Sequence, residues 1–325
     1  NPSKEAIINK AFRFHSQGNI SKAAKYYQNF INQGFKDPII FSNYGVILKD
    51  LGKLEEAELY TRKAIKLKPN FANAHLNLGN ILYSLEKLKE AELSTRKAIE
   101  LNPDLVSAHS NLGIILKDLG NLEKAELSFR KATELNPDFA DAYYNLSLIE
   151  LLKGNYQSGL EKFELRFKTK NAVIPHGKTK IKRFNKEKLQ KEENILILSE
   201  QGFGDTLQYM RYIPYLRSQG FDVRFSAQEK LHTLIQSSGI DSNPLTPEQS
   251  FTVSEGEWIP LLSLARYLNV SPKKPIITEP YIYSTDELNH KWKNIISRDK
   301  RLIIGINWQG NPAMEKTYQG RSIPL

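Results

Sequence analysis

In the first half of the chain, apolar residues fall three and four apart in paired stretches. An example is Leu76, Leu78, Ile81, Leu82 followed by Ala91, Leu93, Ala98, Ile99. That spacing lays one apolar stripe along a helix, and each pair of stretches flanks a turn residue, so each predicts a helical hairpin. The pattern superimposes on itself at a step of 34 residues. Gly18, Gly52, Gly120 and Gly154 recur at that step, with Glu86 the one departure. So do Ala23, Ala57, Ala91, Ala125 and Gly159, and Ala11, Gly45, Gly79, Gly113 and Ser147. Five units are predicted, starting near Lys4, Pro38, Ala72, Val106 and Ala140. Small residues stand where the two helices of a unit approach closely. Pro69, Pro103 and Pro137 close the second helices, because proline cannot continue a helix.

Beyond residue 193 the periodicity changes to short strands alternating with helices. The run 195–198 reads as a buried strand, followed by a helix carrying Leu207, Met210, Ile213 and Leu216 and closing near Gly220. Strands are then predicted at 223–225, 281–283 and 302–307, and helices at 231–235, 259–268 and 288–296. Such alternation predicts a parallel sheet covered by helices. The expected fold class is therefore α+α/β, with an all-α solenoid at 1–170, a linker at 171–193 and a Rossmann-like α/β domain at 194–325.

Composition narrows the chemistry. The 325 residues exceed what one core usually serves. The chain has no cysteine, which excludes disulfide frameworks, thiolate metal sites and cysteine nucleophiles and fits a cytoplasmic location. No apolar run approaches the roughly 18 residues of a spanning helix, so a soluble chain without membrane partners is expected. Asn1 is followed by no basic-then-apolar leader, which reads as an internal fragment. The net charge of +10 is densest in 171–193, with seven Lys and Arg against three Glu. Lys178, Lys180, Lys182, Arg183, Lys186, Lys188 and Lys191 form either a solvated linker or a phosphate-binding strip. With only Phe184 interleaved, the linker is favoured and nucleic acid is not an expected partner. No HExxH or other paired-histidine spacing occurs, and no metal site is expected. His75 and His109 share the step of 34 and read as packing residues.

Asn9, Asn43, Asn77, Asn111 and Asn145 also recur at the step of 34, within the first helix of each unit. Asparagine is a poor interior helix former. Its amide offers a donor and an acceptor together, which suits the backbone of an extended peptide. The other reading is that each amide bonds a neighbouring helix and spaces the stack. A 34-residue hairpin with Leu-Gly in the first helix, Gly at the turn, Ala in the second helix and Pro at its end resembles the tetratricopeptide repeat. The end units depart from it. Phe35 and Asn171 replace the proline, and Arg166 stands where the other units have Phe30, Ala64, Ala98 and Ala132. The AHxNLG runs at Ala74–Gly79 and Ala108–Gly113 resemble the repeats of O-GlcNAc transferases, which implies a protein or peptide partner in the groove.

Glu200, Gln201, Gly202, Phe203, Gly204 and Asp205 follow the first predicted strand, where sheets of this kind bind ligands. The turn reads as a ligand loop, or as a tight turn with an aspartate helix cap. This run, with Thr206, Leu207, Gln208, Arg211 and Tyr212, with the apolar stretch 259–264, and with 305–312 and 321–325, resembles bacterial tetratricopeptide-repeat proteins carrying a heptosyltransferase-like GT-B domain. The resemblance implies Asp205 as general base, with Glu200 in reserve. It implies Gly202, Gly204, Gln208 and Arg211 at the acceptor, Asn311 and Arg321 at donor phosphates, and a nucleotide-sugar as substrate without a resident cofactor. A GT-B enzyme has a second α/β half. The chain stops at Leu325, so the resemblance implies that this stretch alone lacks the donor pocket and is inactive. Two functions are thus expected: a glycosyltransferase whose repeats select a protein, or a non-catalytic interaction scaffold.

Overall fold

The computed structural model describes residues 3–190, 193–276 and 279–296, with the side chains of 295 and 296 excepted. The expected strand at 302–307, and Lys191, Asn311 and Arg321, lie outside the described residues.

Five helical hairpins open the chain. Their first helices are α1 (Lys4–Ser16), α3 (Pro38–Asp50), α5 (Ala72–Ser84), α7 (Val106–Asp118) and α9 (Ala140–Leu152). Their second helices are α2 (Ile20–Asn32), α4 (Leu54–Leu67), α6 (Leu88–Leu101), α8 (Leu122–Leu135) and the shorter α10 (Tyr156–Phe163). The prolines act one residue early. Lys68, Asn102 and Asn136, each preceding a proline, take φ of −141°, −144° and −140° and end the helix, because the proline ring disfavours helical backbone in the residue before it. Glu86 does what glycine does in the other units. It sits at φ 60°, and the next N–H, of Lys87, reaches back to the Leu82 carbonyl at 2.9 Å. That closes the helix at the local cost of a left-handed non-glycine residue, about 1–2 kcal/mol.

Within units, a side chain added at Gly113 would meet the Phe129 ring at 2.7 Å, and one at Gly45 or Gly79 would strike Thr61 or Thr95. Between units, Ala64, Ala98 and Ala132 pack against Ala74, Ala108 and Ala142, all fully buried. The second helix of one unit therefore lies close on the first helix of the next.

The rest of the described chain builds a four-stranded, all-parallel sheet in the order β1-β4-β2-β3. The strands are β1 (Lys182–Arg183), β2 (Asn194–Leu198), β3 (Asp222–Ser226) and β4 (Glu257–Pro260). Along them lie α11 (Phe203–Tyr209), α12 (Tyr212–Ser218), α13 (His232–Ser237), α14 (Leu264–Tyr267) and α15 (Asp286–Ile296). Side chains on β2 alternate between two layers. Ile195 and Ile197 join Met210, Ile213 and Leu216, whereas Leu196 and Leu198 join Val253.

Four expectations change. The one helix expected between the first strand and Gly220 is broken at Met210 and Arg211 into α11 and α12. The segment 171–193 is not a free linker, because it supplies β1, which pairs with β4, and Phe184, which is buried in the core. Its charges are drawn into the fold as well: Arg183 pairs with Glu164 at 2.8 Å, and Lys186 with Glu193 and Glu257 at 2.6 and 3.2 Å. The apolar run 259–268 begins in strand β4, an inner strand of the sheet that ends at Pro260, continues as a 3-10 turn over Leu261–Ser263 and becomes α-helical at Leu264. Residues 281–283 form no strand; Tyr281 instead lies over Arg211.

Solenoid and sheet share one core. Phe163 of α10 belongs to the cluster containing Ile195, Phe225 and Ile259, and Tyr144, Leu148 and Leu151 of α9 pack on it.

Candidate functional site

Two places draw together the residues singled out from sequence. The first is the face formed by the first helices of the units. Asn77 donates to Ser42 Oγ at 3.0 Å, and Asn111 donates to Asn80 Oδ1 at 2.6 Å, so these amides tie each unit to the one before it. Asn43 bonds the Tyr27 hydroxyl, whose pKa burial pushes up to about 12. Asn145 donates to Asp141 C=O in its own helix at 2.8 Å, and Asn9 is exposed on α1. The ladder is thus half structural. Among the described residues, the Oδ1 acceptors of Asn77 and Asn111 have no protein partner. A pocket of about 220 Å³ is lined by Lys49, Asn80, Tyr83, Ser84, Asn111 and Ile114, with Asn77 outside its lining. Asn80, Tyr83 and Lys49 lie off the strict ladder. Asn80 stands where other units carry Val46 and Ile114, so a polar residue at an apolar register was the available signal. His75 and His109 bond the Pro69 and Pro103 carbonyls at 2.9 and 2.8 Å, and no group of potential metal ligands occurs among the described residues.

The second place is the carboxyl end of β2, the middle of the sheet, where the chain departs to β3 on one side and β4 on the other. In open parallel sheets this crevice is the usual ligand site. Here the end of the solenoid engages Glu200, while the Gly202–Gly204 turn stays exposed. Arg166, in the 3-10 turn Glu164–Phe167 that follows α10, is 0% exposed. Its Nε and Nη2 donate to the two oxygens of Glu200 at 3.1 and 2.8 Å, and Nη2 also reaches Ser263 Oγ at 2.8 Å. Glu200, also 0% exposed, accepts a further bond from the Leu262 N–H at 3.1 Å. The rings of Phe163 and Phe167 lie 4.4 and 4.2 Å from the guanidinium carbon, and Glu164 adds a second carboxylate at 3.0 Å. These carboxylates hold the Arg166 pKa above its ordinary value against the opposing effect of burial.

This arrangement corrects the reading of Glu200 as reserve base, because both its oxygens are engaged and no acceptor can reach them. Gly202, not Asp205, is the N-cap of α11; Asp205, half-buried at the third helical position, accepts from the Gly202 N–H at 3.0 Å and closes the helix start from inside, in place of the expected aspartate cap. Gly202 and Gly204 are exposed, as is Phe203 between them. Gln208 is exposed, but Arg211 is turned aside: it donates to Tyr281 OH at 2.9 Å and to Gln208 C=O at 2.7 Å. Sequence reasoning missed His176. Its Nδ1 lies 3.0 Å from Ser199 Oγ, its ring bonds the Gln201 backbone, and burial lowers its pKa. Gln201, which it helps to hold, has φ 61°.

Tetratricopeptide-repeat profiles match residues 72–105, 106–139 and 128–161, and a TPR-repeat profile matches 45–86. The hairpins across residues 45–161 are tetratricopeptide repeats. These matches end at residue 161, so none of them extends over the sheet. No curated protein matches the chain significantly. Several solved structures are similar over about half of it. MamA 41-end from Desulfovibrio magneticus RS-1 is 23% identical over 51% of this chain and 97% of that one, with a TM-score of 0.45. A thermophilic TPR protein of Thermus thermophilus, TTC0263, is 17% identical over 52% and 92%, with a TM-score of 0.46. YrrB, described as a TPR protein with an unusual peptide-binding site, is 25% identical over 51% and 86%, with a TM-score of 0.42. Among the described residues, no helix is long and apolar enough to cross a membrane.

Proposed function

We propose that the chain is a protein-interaction scaffold whose repeats take an extended peptide along the first-helix face. The observation that carries this reading is the pocket between the third and fourth units, with Asn111, whose acceptor is unfilled, in its lining. A peptide backbone in extended form supplies N–H donors to such acceptors. The lining is a mixture of amide, hydroxyl and Ile114, with Lys49 tied to Asp50 at 3.2 Å. That composition suits polar, uncharged side chains on the ligand. The test is titration of an unstructured peptide library against the chain and against Asn80→Ala/Asn111→Ala. Affinity is expected to fall about tenfold, near 1.4 kcal/mol, with helicity retained. Equal binding by both proteins overturns the assignment of this groove.

Sugar transfer from a nucleotide-activated donor is the second reading, and it rests on the exposed Gly202-Phe203-Gly204 turn beside left-handed Gln201 at the carboxyl end of β2. Backbone strain of this sort gathers at functional sites. Asp205 is then the proton acceptor, since Glu200 is engaged. Assayed in the full-length protein, Asp205→Asn keeps an oxygen to cap Gly202 and removes the charge, so transfer is expected to fall by about 100-fold or more with an unchanged melting temperature. Transfer that survives the substitution sinks this reading.

A further inference from the structure

The second helices carry a pattern that neither reading uses. Leu59 of α4, Leu93 of α6 and Leu127 of α8 stand at one register, 34 residues apart. They are 52%, 69% and 67% exposed, although each follows, two residues on, an alanine at 0%. The first and fifth units carry Lys25 and Glu161 at that register, so the row is confined to the middle three units. Packing of the repeats does not require leucine there.

The row is held in place. Next to each leucine a glutamate bonds the arginine one turn on: Glu58 with Arg62, Glu92 with Arg96 and Glu126 with Arg130, at 2.8, 2.8 and 2.7 Å. Bonds between neighbouring units fix their spacing, with Lys87 on Glu58 at 2.9 Å and Lys153 on Glu126 at 2.7 Å. Beside Leu127 lies a groove of about 290 Å³ whose walls include Ile99 and Leu112.

Charge is asymmetric across the row. One turn before the leucines stand Glu55, Glu56, Glu90 and Glu123, with Lys89 and Lys124 among them; one turn after stand Arg62, Lys63, Arg96, Lys97, Arg130 and Lys131. Lys97 and Lys131 also contact Glu100 and Glu134, and Lys63 lies over the Tyr60 ring. With Glu58, Glu92 and Glu126 beside the leucines counted in, the side before the leucine is net acidic on all three helices, strongly on α4 and by one charge on α6 and α8 where Lys89 and Lys124 intrude, and the side after it is net basic. A second copy turned about a two-fold axis along the row lays its helices antiparallel on these. Every leucine then meets its own equivalent, and acidic ends cover basic ends. An axis along the helices would instead set acid on acid. We infer that the Leu59–Leu93–Leu127 row is a self-association surface whose occupant is a second copy of this chain, related by that two-fold axis.

Because the chain has no cysteine, a single introduced thiol reports the contact directly. Leu93→Cys is expected to form a disulfide-linked dimer under mild oxidation, at least tenfold faster than Ser84→Cys on the exposed first-helix face. In sedimentation velocity over a concentration series, the unaltered chain is expected to show a dissociating dimer. Leu59→Glu/Leu93→Glu/Leu127→Glu, folded by circular dichroism, is expected to raise the dissociation constant at least tenfold. An unaltered chain that stays monomeric throughout the series, or a Leu93→Cys chain that cross-links no faster than the Ser84→Cys control, overturns the inference whatever the triple variant does.

Discussion

Glu200→Ala is expected to lower the stability of the sheet and its join to the repeats by about 3–5 kcal/mol, because it leaves the Arg166 guanidinium buried without its main counter-charge. The sign is not that of a simple lost contact. Paired and fully hydrogen-bonded, two buried charges gain little over apolar side chains of similar volume, since taking both from water opposes their attraction. Arg166→Met combined with Glu200→Leu is therefore expected to recover most of the loss. Urea unfolding of the single and double variants measures both effects. The single variant should show an early transition, with β2 and β4 losing protection before the middle repeats. A single-variant loss below about 1 kcal/mol would mean that the shared apolar core around Phe163 holds the join by itself.

Gly256→Ala is the second large effect. Gly256 precedes β4 at φ 90°, and a Cβ there would lie 2.8 Å from the carbonyl carbon of Asn194, where the neighbouring strand β2 begins. The left-handed backbone costs about 1–2 kcal/mol for alanine, and forcing two paired strands apart adds about 1–3 kcal/mol. Gly120→Ala separates the two contributions, since Gly120 has φ 78° with open space around it. It should lose only the first amount in the same denaturation experiment. Equal losses at both sites would show that β4 yields to the intrusion.

The repeats were legible because each feature is stated in three to five units at one step of 34. The first helices begin at the expected residues, since the alternation of small and large positions leaves one way for the hairpins to stack. Strands β2 and β3 and helix α15 follow from local pattern as well. Strand β1 did not, because two residues at a sheet edge, Lys182 and Arg183, carry no apolar signal; only Phe184 marks the place. Strand β4 was hidden inside an apolar run that continues through Leu261, Leu262 and Leu264, all buried, where periodicity cannot tell strand from helix. At the candidate sites, Arg166 was visible as a break in the register of Ala64, Ala98 and Ala132. Its partner Glu200 was not, for an ion pair between a repeat and a strand-end turn exists only in three dimensions. The asparagine ladder was visible too, while the division of each amide between stack and groove depends on which neighbour stands within reach.

The Arg166 junction also bears on how such a molecule changes length. The join to the sheet draws on the final unit: Arg166, Phe163 and Glu164 from its end, and Tyr144, Leu148 and Leu151 from its first helix. The middle units meet one another through interchangeable alanine faces. A duplication or loss of one 34-residue unit among them would lengthen or shorten the groove by a whole step and leave the attachment to the sheet untouched, so reach and anchorage can vary separately over generations of the gene.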